Sequence, residues 1–491
     1  MSHDSASANA SLTAAPIKFG TDGWRGIIAK EFTFERLTKV APVAARVLEE
    51  TYRRPDTQRL IIVGYDRRFL SEEFAQATAE AVQKAGYDVL LANTFAPTPA
   101  FSWAAYHRKA LGALVITASH NPGIYSGLKV KGAFGGSVPP VITQKIQDQL
   151  ATDSDPVSPT SGTLDTFDPW PDYCQVLKSK VDIDGINQAI TQNQLTVFVD
   201  TMHGATASGM QRLLTAPIQE LNSDRDPFFE GGAPEPLPKY LGKLIESIQT
   251  HSQQSSEQEA VVGFIFDGDG DRIAAMDGQG NFLSSQILIP ILIEHLAARR
   301  QFQGEVIKTI SGSELIPRVA ALHNLPLHET PIGYKYIADH MLETEAVLLG
   351  GEESGGIGYG NHIPERDGLL SALYLLEAAA QTRKDLSSLY QQLQTQTGFT
   401  SFYDRIDLPL ASEADKHKLI AQLQSSPFSQ VLDQEVTKVL SIDGYKFLLA
   451  DQSWLLIRFS GTEPVLRLYC ESHQPDQVTQ ILAWAKDWAL S

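Results

Sequence analysis

Apolar positions come in short unbroken runs at residues 60–63, 111–117, 195–199, 261–266 and 347–349. A half-exposed strand would alternate apolar and polar residues, so these runs predict strands buried on both faces. Helix-period patterns follow them, one starting near Ser71. Strand and helix alternating through about the first 400 residues predict α/β layers with largely parallel sheets. Beyond that the pattern changes to strands over 453–459 and 465–471 and a helix near 476–488, the mark of a separate small α+β domain. Two polar stretches, 151–166 and 249–259, read as loops or linkers between these elements. No internal repeat is visible in the sequence.

Length changes this picture first: 491 residues exceed one ordinary core and point to three or four domains. No run approaches the ~18 apolar residues of a membrane-spanning helix. The first 15 residues are small and polar, without a basic start or an apolar segment, and read as a loose tail rather than a signal peptide. Cys174 and Cys470 stand far apart, which excludes a disulfide framework or a thiolate zinc site and suits a reducing, cytoplasmic compartment. A formal net charge of −18 argues against nucleic acid as a partner. Yet nearly every motif below carries Arg or Lys, so a small phosphorylated ligand fits the charge pattern better than a macromolecule.

Four segments carry candidate chemistry. Thr117-Ala118-Ser119-His120-Asn121-Pro122 follows an apolar run, which puts the Ser119 hydroxyl at a strand's C-terminal end, where α/β sheets place active sites. Ser119 is a candidate nucleophile or phosphate carrier, with an Asx or Ser turn as the plain alternative. No Gly-x-Ser-x-Gly elbow surrounds it, so a serine hydrolase is disfavoured. Lys129 lies downstream within folding reach. Asp267-Gly268-Asp269-Gly270-Asp271-Arg272 also follows an apolar run. Three carboxylates at alternate positions repel one another unless a cation offsets them, and three hard oxygen ligands suit Mg²⁺. An EF-hand is excluded because Arg272 and Gly278 stand where that loop needs Gly and Glu. Arg272 offers a guanidinium to the same anion.

The third segment, Gly350-Gly351-Glu352-Glu353-Ser354-Gly355-Gly356, is glycine-rich but lacks the dinucleotide pattern, and its acids would repel a pyrophosphate. Its carboxylate and hydroxyl suit sugar hydroxyls, with a plain glycine turn as the alternative. His362-Ile363-Pro364-Glu365-Arg366-Asp367-Gly368 comes shortly after. Fourth, Arg458-Phe459-Ser460-Gly461-Thr462-Glu463-Pro464 with Arg467 offers two guanidiniums, two hydroxyls and a glycine amide, a phosphate cradle unless it is a surface hairpin. The N-terminal Gly20-Thr21-Asp22-Gly23-Trp24-Arg25-Gly26 reads on its own as a tight turn with a surface Arg.

Taken in this order, the segments resemble the α-D-phosphohexomutase superfamily, and within it the phosphoglucomutase/phosphomannomutase family, from about residue 17 onward. The resemblance implies three similar mixed α/β domains and a C-terminal α+β, TATA-binding-protein-like domain around a central cleft. With a tail at 1–16, the expected divisions are 17–174, 175–284, 285–398 and 399–491. It further implies that Ser119 is the phosphoserine and that Asp267, Asp269 and Asp271 bind Mg²⁺ together with its phosphate. Arg25, His120, Lys129 and Arg272 would surround the transferring group, with Lys129 the foremost general base or acid. Glu352, Ser354, Lys335 and Arg366 would contact the sugar, and Arg458, Ser460, Gly461, Thr462 and Arg467 the phosphate that is not reacting.

The implied reaction interconverts glucose 1-phosphate and glucose 6-phosphate through glucose 1,6-bisphosphate. Mannose- and glucosamine-directed members commonly have Met or Gln, then His, where this chain has Glu353 and Gly356; Glu-Glu-Ser with HIPERDG looks glucose-directed. Ser126 departs from the Asn common in the family, which bears on the geometry of the Ser119 loop. A phosphomannomutase, a sugar bisphosphate synthase that releases the intermediate, and a non-catalytic sugar-phosphate sensor are the other readings. Intact Ser119 and the Asp trio count against the sensor. No obligate protein partner is implied.

Overall fold

The computed structural model describes residues 16–20, 23–152, 160–254, 259–460 and 465–491. The expected tail, apart from residue 16, and the cradle residues Gly461 and Thr462 lie outside these. Four sheets follow one another along the chain.

The first sheet runs Trp24–Ile27, Tyr125–Gly132, Gly112–Ile116, Leu60–Tyr65, Asp88–Ala92, Leu164–Phe167. Every residue of Leu60–Tyr65 is buried, as an unbroken apolar run flanked by helices requires. Helix Ser71–Lys84 begins where the sequence pattern predicts. The second sheet is ordered Phe282–Leu283, Ile273–Asp277, Ala260–Phe266, Leu195–Asp200, Gln219–Leu221, and the third Leu327–Thr330, Glu305–Thr309, Val347–Gly351, Ile357–Tyr359.

The expectation of largely parallel sheets needs correction. Each of these three sheets has a parallel centre, but each also carries an antiparallel return strand: Tyr125–Gly132, Ile273–Asp277 and Ile357–Tyr359. Each return follows a motif loop, so Ser119, the Asp trio and the Glu352 loop occupy the same structural position in three sheets that share no sequence repeat. Two loop assignments also change. Helix Gly242–Ser252 extends into the polar stretch because Leu244 and Ile248 bury one face while the polar residues face water. Leu164–Phe167 is a half-exposed edge strand parallel to Asp88–Ala92, too exposed to show an apolar run.

The first three sheets share one continuous apolar core. Helix Gly368–Thr382, which follows HIPERDG and the third sheet in the chain, packs on Ala260–Phe266 and Ile273–Asp277 of the second sheet and on helix Ile183–Thr191. It is apolar on nearly every side because it is covered on nearly every side.

The fourth sheet is antiparallel, with helices Glu413–Ser425 and Pro475–Leu490. In Trp454–Phe459 the alternation of side chains sends Leu455 and Ile457 into the C-terminal core. Trp454 and Leu456 point the other way and pack with Tyr469 on Ile310, directly after strand Glu305–Thr309 of the third sheet. Glu471 reinforces this contact, accepting from Ser313, Ser401 and the Trp454 indole. No helix among the described residues is long and apolar enough to cross a membrane.

Candidate active site

Ser119 stands in the left-handed region, at φ 53°, a conformation uncommon for a residue with a Cβ. Its surroundings over-determine that conformation. Thr117 Oγ1 accepts its amide at 2.9 Å. The Arg68 guanidinium donates to the carbonyls of Ser119, Pro122 and Tyr125 and so spans the loop. Arg68 is fully buried and pairs with Asp66 at 3.1 Å. Burial pushes the Asp66 carboxyl up and the Arg68 guanidinium down, against their mutual attraction. Strand Trp24–Ile27 sets Arg25 opposite Gly127, from where Arg25 Nη1 donates to Asn121 Oδ1 at 2.6 Å. Ser126, the departure from the family pattern, is buried and its hydroxyl has no hydrogen-bond partner among the described residues.

The Asp loop presses directly on this turn. A Cβ on Gly268 would lie 2.4 Å from the Ser119 carbonyl oxygen, and Gly270 has φ +71°; the glycines between the acids are what let the loop approach. Asp267, Asp269 and Asp271 are fully buried, and one carboxylate oxygen of each lies within 4.8 Å of the others. Ser119 Oγ donates to Asp267 Oδ2 at 2.9 Å. Lys129 Nζ lies 2.8 Å from Asp269 Oδ2 and 2.7 Å from Asp271 Oδ2. Burial, with Asp269 and Asp271 adding repulsion, pushes the Asp267 carboxyl well above its usual range. Burial acts on Asp269 in the same direction, but Lys129 and Thr98 outweigh it and hold Asp269 low.

Asp269 Oδ1 and Asp271 Oδ1 are buried with no hydrogen-bond partner among the described residues. Orphaned carboxylate oxygens are costly in a protein interior, and three converging carboxylates fit a hard divalent cation. His120 Nδ1 lies 3.3 Å from Ser119 Oγ. Burial first, then Arg272 and Arg25, disfavour a proton on its imidazole, so it is held neutral.

The Glu352 loop is zipped to the Asp loop. Arg272 and Gly356 form a bridge, and the Ile273 amide donates to the Gly355 carbonyl at 3.0 Å. Glu352 Oε1 accepts from Ser354 Oγ at 2.7 Å and Arg366 Nη1 at 3.3 Å, while Arg366 Nη2 reaches Asp271 Oδ2 at 2.7 Å. Glu353 turns toward the third sheet, accepting from Ser311 at 2.8 Å and Thr309 at 3.2 Å. HIPERDG ties three segments together: Glu365 pairs with Lys131 of the first sheet, Arg366 joins two loops, and Asp367 caps helix Gly368–Thr382 while accepting from Tyr173.

The structure thus brings Ser119, His120, Arg25, Lys129, the Asp trio, Arg272, Arg366, Glu352 and Ser354 into one connected cluster. Lys335 is not bonded to it; its ammonium lies 4.7 Å over the Tyr336 ring in the first turn of helix Tyr334–Glu343. Arg458 and Arg467 form a second cluster, cross-strand partners in adjacent strands. Arg458 pairs with Asp443 at 2.9 Å, and the Ile332 amide donates to the same carboxylate at 3.1 Å. Arg467 lies 3.9 Å from Asp407. The Ser460 amide donates to the Val465 carbonyl at 2.9 Å, closing the turn. Like charges facing across strands repel unless an anion shares them.

Three site residues escape the sequence reading. Asp66 and Arg68 carry a signal, charges directly after a buried strand. Thr98, whose hydroxyl donates to Asp269 Oδ2 at 2.6 Å, carries none, since it opens helix Thr98–His107 and reads only as a helix start.

Models of the phosphoglucomutase/phosphomannomutase family match in order: alpha/beta/alpha domain I over residues 16–156, domain II over 171–280, domain III over 284–397 and the C-terminal domain over 412–484. A phosphoglucomutase/phosphomannomutase of Thermococcus kodakarensis is 28% identical over 470 residues, 94% of this chain and 96% of that one. A phosphoglucosamine mutase of Levilactobacillus brevis is 28% identical over 472 residues, 94% of this chain and 95% of that one. A crystal structure from Thermus thermophilus, of a protein described as a phosphomannomutase, superposes with a TM-score of 0.82 at 31% identity, covering 97% of this chain and all (100%) of that one. The phosphoglucomutase parafusin of Paramecium shares the fold, with a TM-score of 0.79 at 22% identity, covering 97% of this chain and 94% of that one. With all four domains matched in order over the sheets and loops described above, the chain belongs to the phosphoglucomutase/phosphomannomutase family of the α-D-phosphohexomutase superfamily and is a phosphohexomutase.

Proposed function

We propose that the chain interconverts glucose 1-phosphate and glucose 6-phosphate, with phospho-Ser119 as carrier and glucose 1,6-bisphosphate as intermediate. The observation that carries the sugar assignment is the pairing of Glu352 with Arg366. A carboxylate already balanced by a guanidinium accepts hydrogen bonds from neutral hydroxyls. An amino sugar's ammonium would be better served by an unpaired acid. This favours glucose over glucosamine, although several relatives of similar identity are named phosphoglucosamine mutases. Glu353 and Gly356, where mannose- and glucosamine-directed members commonly have Met or Gln and then His, support the same reading.

In the first half-reaction the bond from phosphorus to Ser119 Oγ breaks as one forms to the sugar's free hydroxyl. The hydroxyl proton passes to Lys129 as its neutral amine and on to the departing Ser119 Oγ, which becomes the free hydroxyl. The bisphosphate then turns end for end, its other phosphoryl group returns to Ser119 Oγ, and a proton is restored to the departing sugar oxygen. Such transfers depend mainly on positioning and charge neutralisation. His120, neutral, orients Ser119, while Arg25 and Arg272 face the moving group. Asp267, Asp269 and Asp271, with a phosphate oxygen on Ser119, would hold Mg²⁺, which when bound supplies positive charge to the phosphoryl group. Glu352, Ser354, Arg366 and Lys335 hold the sugar. Arg458, Ser460, Gly461, Thr462 and Arg467 hold the distal phosphate.

Glucose 1-phosphate, mannose 1-phosphate and glucosamine 1-phosphate assayed side by side, with Mg²⁺ and catalytic bisphosphate, test the sugar. Glucose should show the highest kcat/KM, and Glu352→Gln should lower it by about 1–3 kcal/mol of transition-state stabilisation. A lead for glucosamine, or a Glu352→Gln variant with parental kinetics on all three sugars, refutes the assignment. Tracing labelled phosphate during turnover separates mutase from synthase: release of bisphosphate in most cycles would make the chain a synthase. Asp269→Asn should weaken the apparent Mg²⁺ affinity at least about tenfold. An unchanged Mg²⁺ titration would assign the Asp trio a purely structural role.

A further inference from the structure

A turn at 441–444 joins strands Gln434–Leu440 and Tyr445–Leu449 of the fourth sheet and ends in Asp443-Gly444. An Asp-Gly pair is a common hairpin signature, with the Asp side chain serving its own turn. Among the described residues, however, the Asp443 carboxylate bonds nothing in that turn. A single oxygen, Oδ2, accepts from Arg458 Nε at 2.9 Å and from the Ile332 amide at 3.1 Å, across 111 residues of chain. Gly444 makes this reach possible. It has φ +87°, and a Cβ there would lie 2.4 Å from the Ile457 carbonyl oxygen and 3.0 Å from Arg458 Cα. A side chain would hold the turn off strand Trp454–Phe459; glycine lets it close in beside Arg458.

The charges around Arg458 form an ordered row. Arg458 faces Arg467 across adjacent strands, and Arg467 faces Asp407 on the next. Tyr445 pairs with Ile457, which sets the Asp443 turn on the other side of Arg458 from Arg467. Two guanidiniums thus stand side by side with a carboxylate on each outer flank. The Asp443 bond takes Arg458 through Nε, a side edge of the planar group. Among the described residues nothing bonds its two terminal nitrogens, whose shared edge is the one that matches two oxygens of a phosphate. The Arg458 and Asp443 side chains are 17% and 24% exposed, so an anion can reach that edge.

Ile332 lies three residues before Lys335, between strand Leu327–Thr330 and helix Tyr334–Glu343. Its side chain packs on the Ile310, Trp454, Leu456 and Tyr469 cluster that joins the third sheet to the fourth. We propose that Asp443 is a positioning residue, which presents the terminal edge of Arg458 to the non-reacting phosphate and, through Ile332, ties that grip to the segment carrying Lys335. The proposal rests on the reading of Arg458 as a ligand of that phosphate. Without Asp443 the guanidinium keeps its charge but not its orientation, and ordering it on binding opposes affinity. The loss falls alike on every complex with a phosphate in the cradle and leaves bond-making at Ser119 untouched.

The test is steady-state kinetics of the full-length protein on glucose 1-phosphate, or on whichever of the three sugar phosphates named above is turned over fastest, with Mg²⁺ and catalytic bisphosphate. Asp443→Ala should raise KM about tenfold and change kcat less than about threefold, since the lost interaction is common to ground and transition state. Asp443→Asn keeps an acceptor oxygen without the charge and should fall between the parent and Asp443→Ala. Arg458→Ala should raise KM at least as far, and adding Asp443→Ala to it should raise KM no further, because nothing is left to position. Unfolding temperatures of the Asp443 variants should stay near the parent's, as a partly exposed ion pair implies. Parental KM in Asp443→Ala beside a raised KM in Arg458→Ala, or KM effects that multiply in the double variant, would overturn the proposal and leave the cradle standing. A lowered KM in Asp443→Ala would make the carboxylate a competitor of the phosphate and overturn it too. Parental KM in Arg458→Ala would remove the cradle and the proposal together.

Discussion

Ser119→Ala should lose turnover by on the order of 10⁴–10⁶-fold, the scale on which removing a covalent nucleophile acts, while keeping the parental fold. The hydroxyl lies 2.9 Å from Asp267 and is the oxygen at the meeting point of the Asp loop, His120 and the Arg68-braced turn. The fold survives because alanine gives up only the hydroxyl's two contacts, with Asp267 and His120, and meets the same left-handed backbone that serine already tolerates, braced by contacts to main-chain atoms. Phosphopeptide mass spectrometry on the parent should find one phosphate, on Ser119, and none at that position in the variant. Turnover within about tenfold of the parent would end the phosphoserine mechanism.

Arg68→Ala should have the largest effect on stability, about 3–5 kcal/mol, since it strands the buried Asp66 carboxylate without its partner. The same change frees three carbonyls of the Ser119 loop at once. Activity should therefore fall beyond what the loss of folded protein explains, because Ser119 is no longer held at its positive φ. Arg68→Lys keeps the charge but has no planar fork to span three carbonyls, so it should be intermediate in both stability and turnover. The measurement is an unfolding curve read beside the phosphate content of Ser119 in the folded fraction. A variant as stable and as fully phosphorylated as the parent would show that the Asp66–Arg68 pair is dispensable to the loop.

The two variants probe different depths of legibility. Ser119 is visible in the sequence because a hydroxyl follows an apolar run and the segments around it resemble a known family. Arg68 is a charge after a strand, and its importance depends on a loop whose Ser119 lies 51 residues further along the chain.

What the sequence determined by itself is whatever short-range physics dictates. Unbroken apolar runs mark the central strands, since burial on both faces removes alternation: Leu60–Tyr65 and Ala260–Phe266 are buried throughout. Alternating acids and glycines in Asp267–Asp271 announce both a tight turn and a need for positive charge. What only the tertiary structure decided depends on contacts without local signal. The antiparallel return strands and the edge strand Leu164–Phe167 are set by their partners. Helix Gly368–Thr382 reveals by composition that it is buried, but not that it covers the second sheet. Lys129 meets Asp271 across 142 residues of chain, and Arg366 meets it across 95. A lone Lys and a lone Arg look like solvated surface until the fold removes the water around them. Burial then makes each charge require a partner, and the chain supplies those partners from segments that are neighbours only once it has folded.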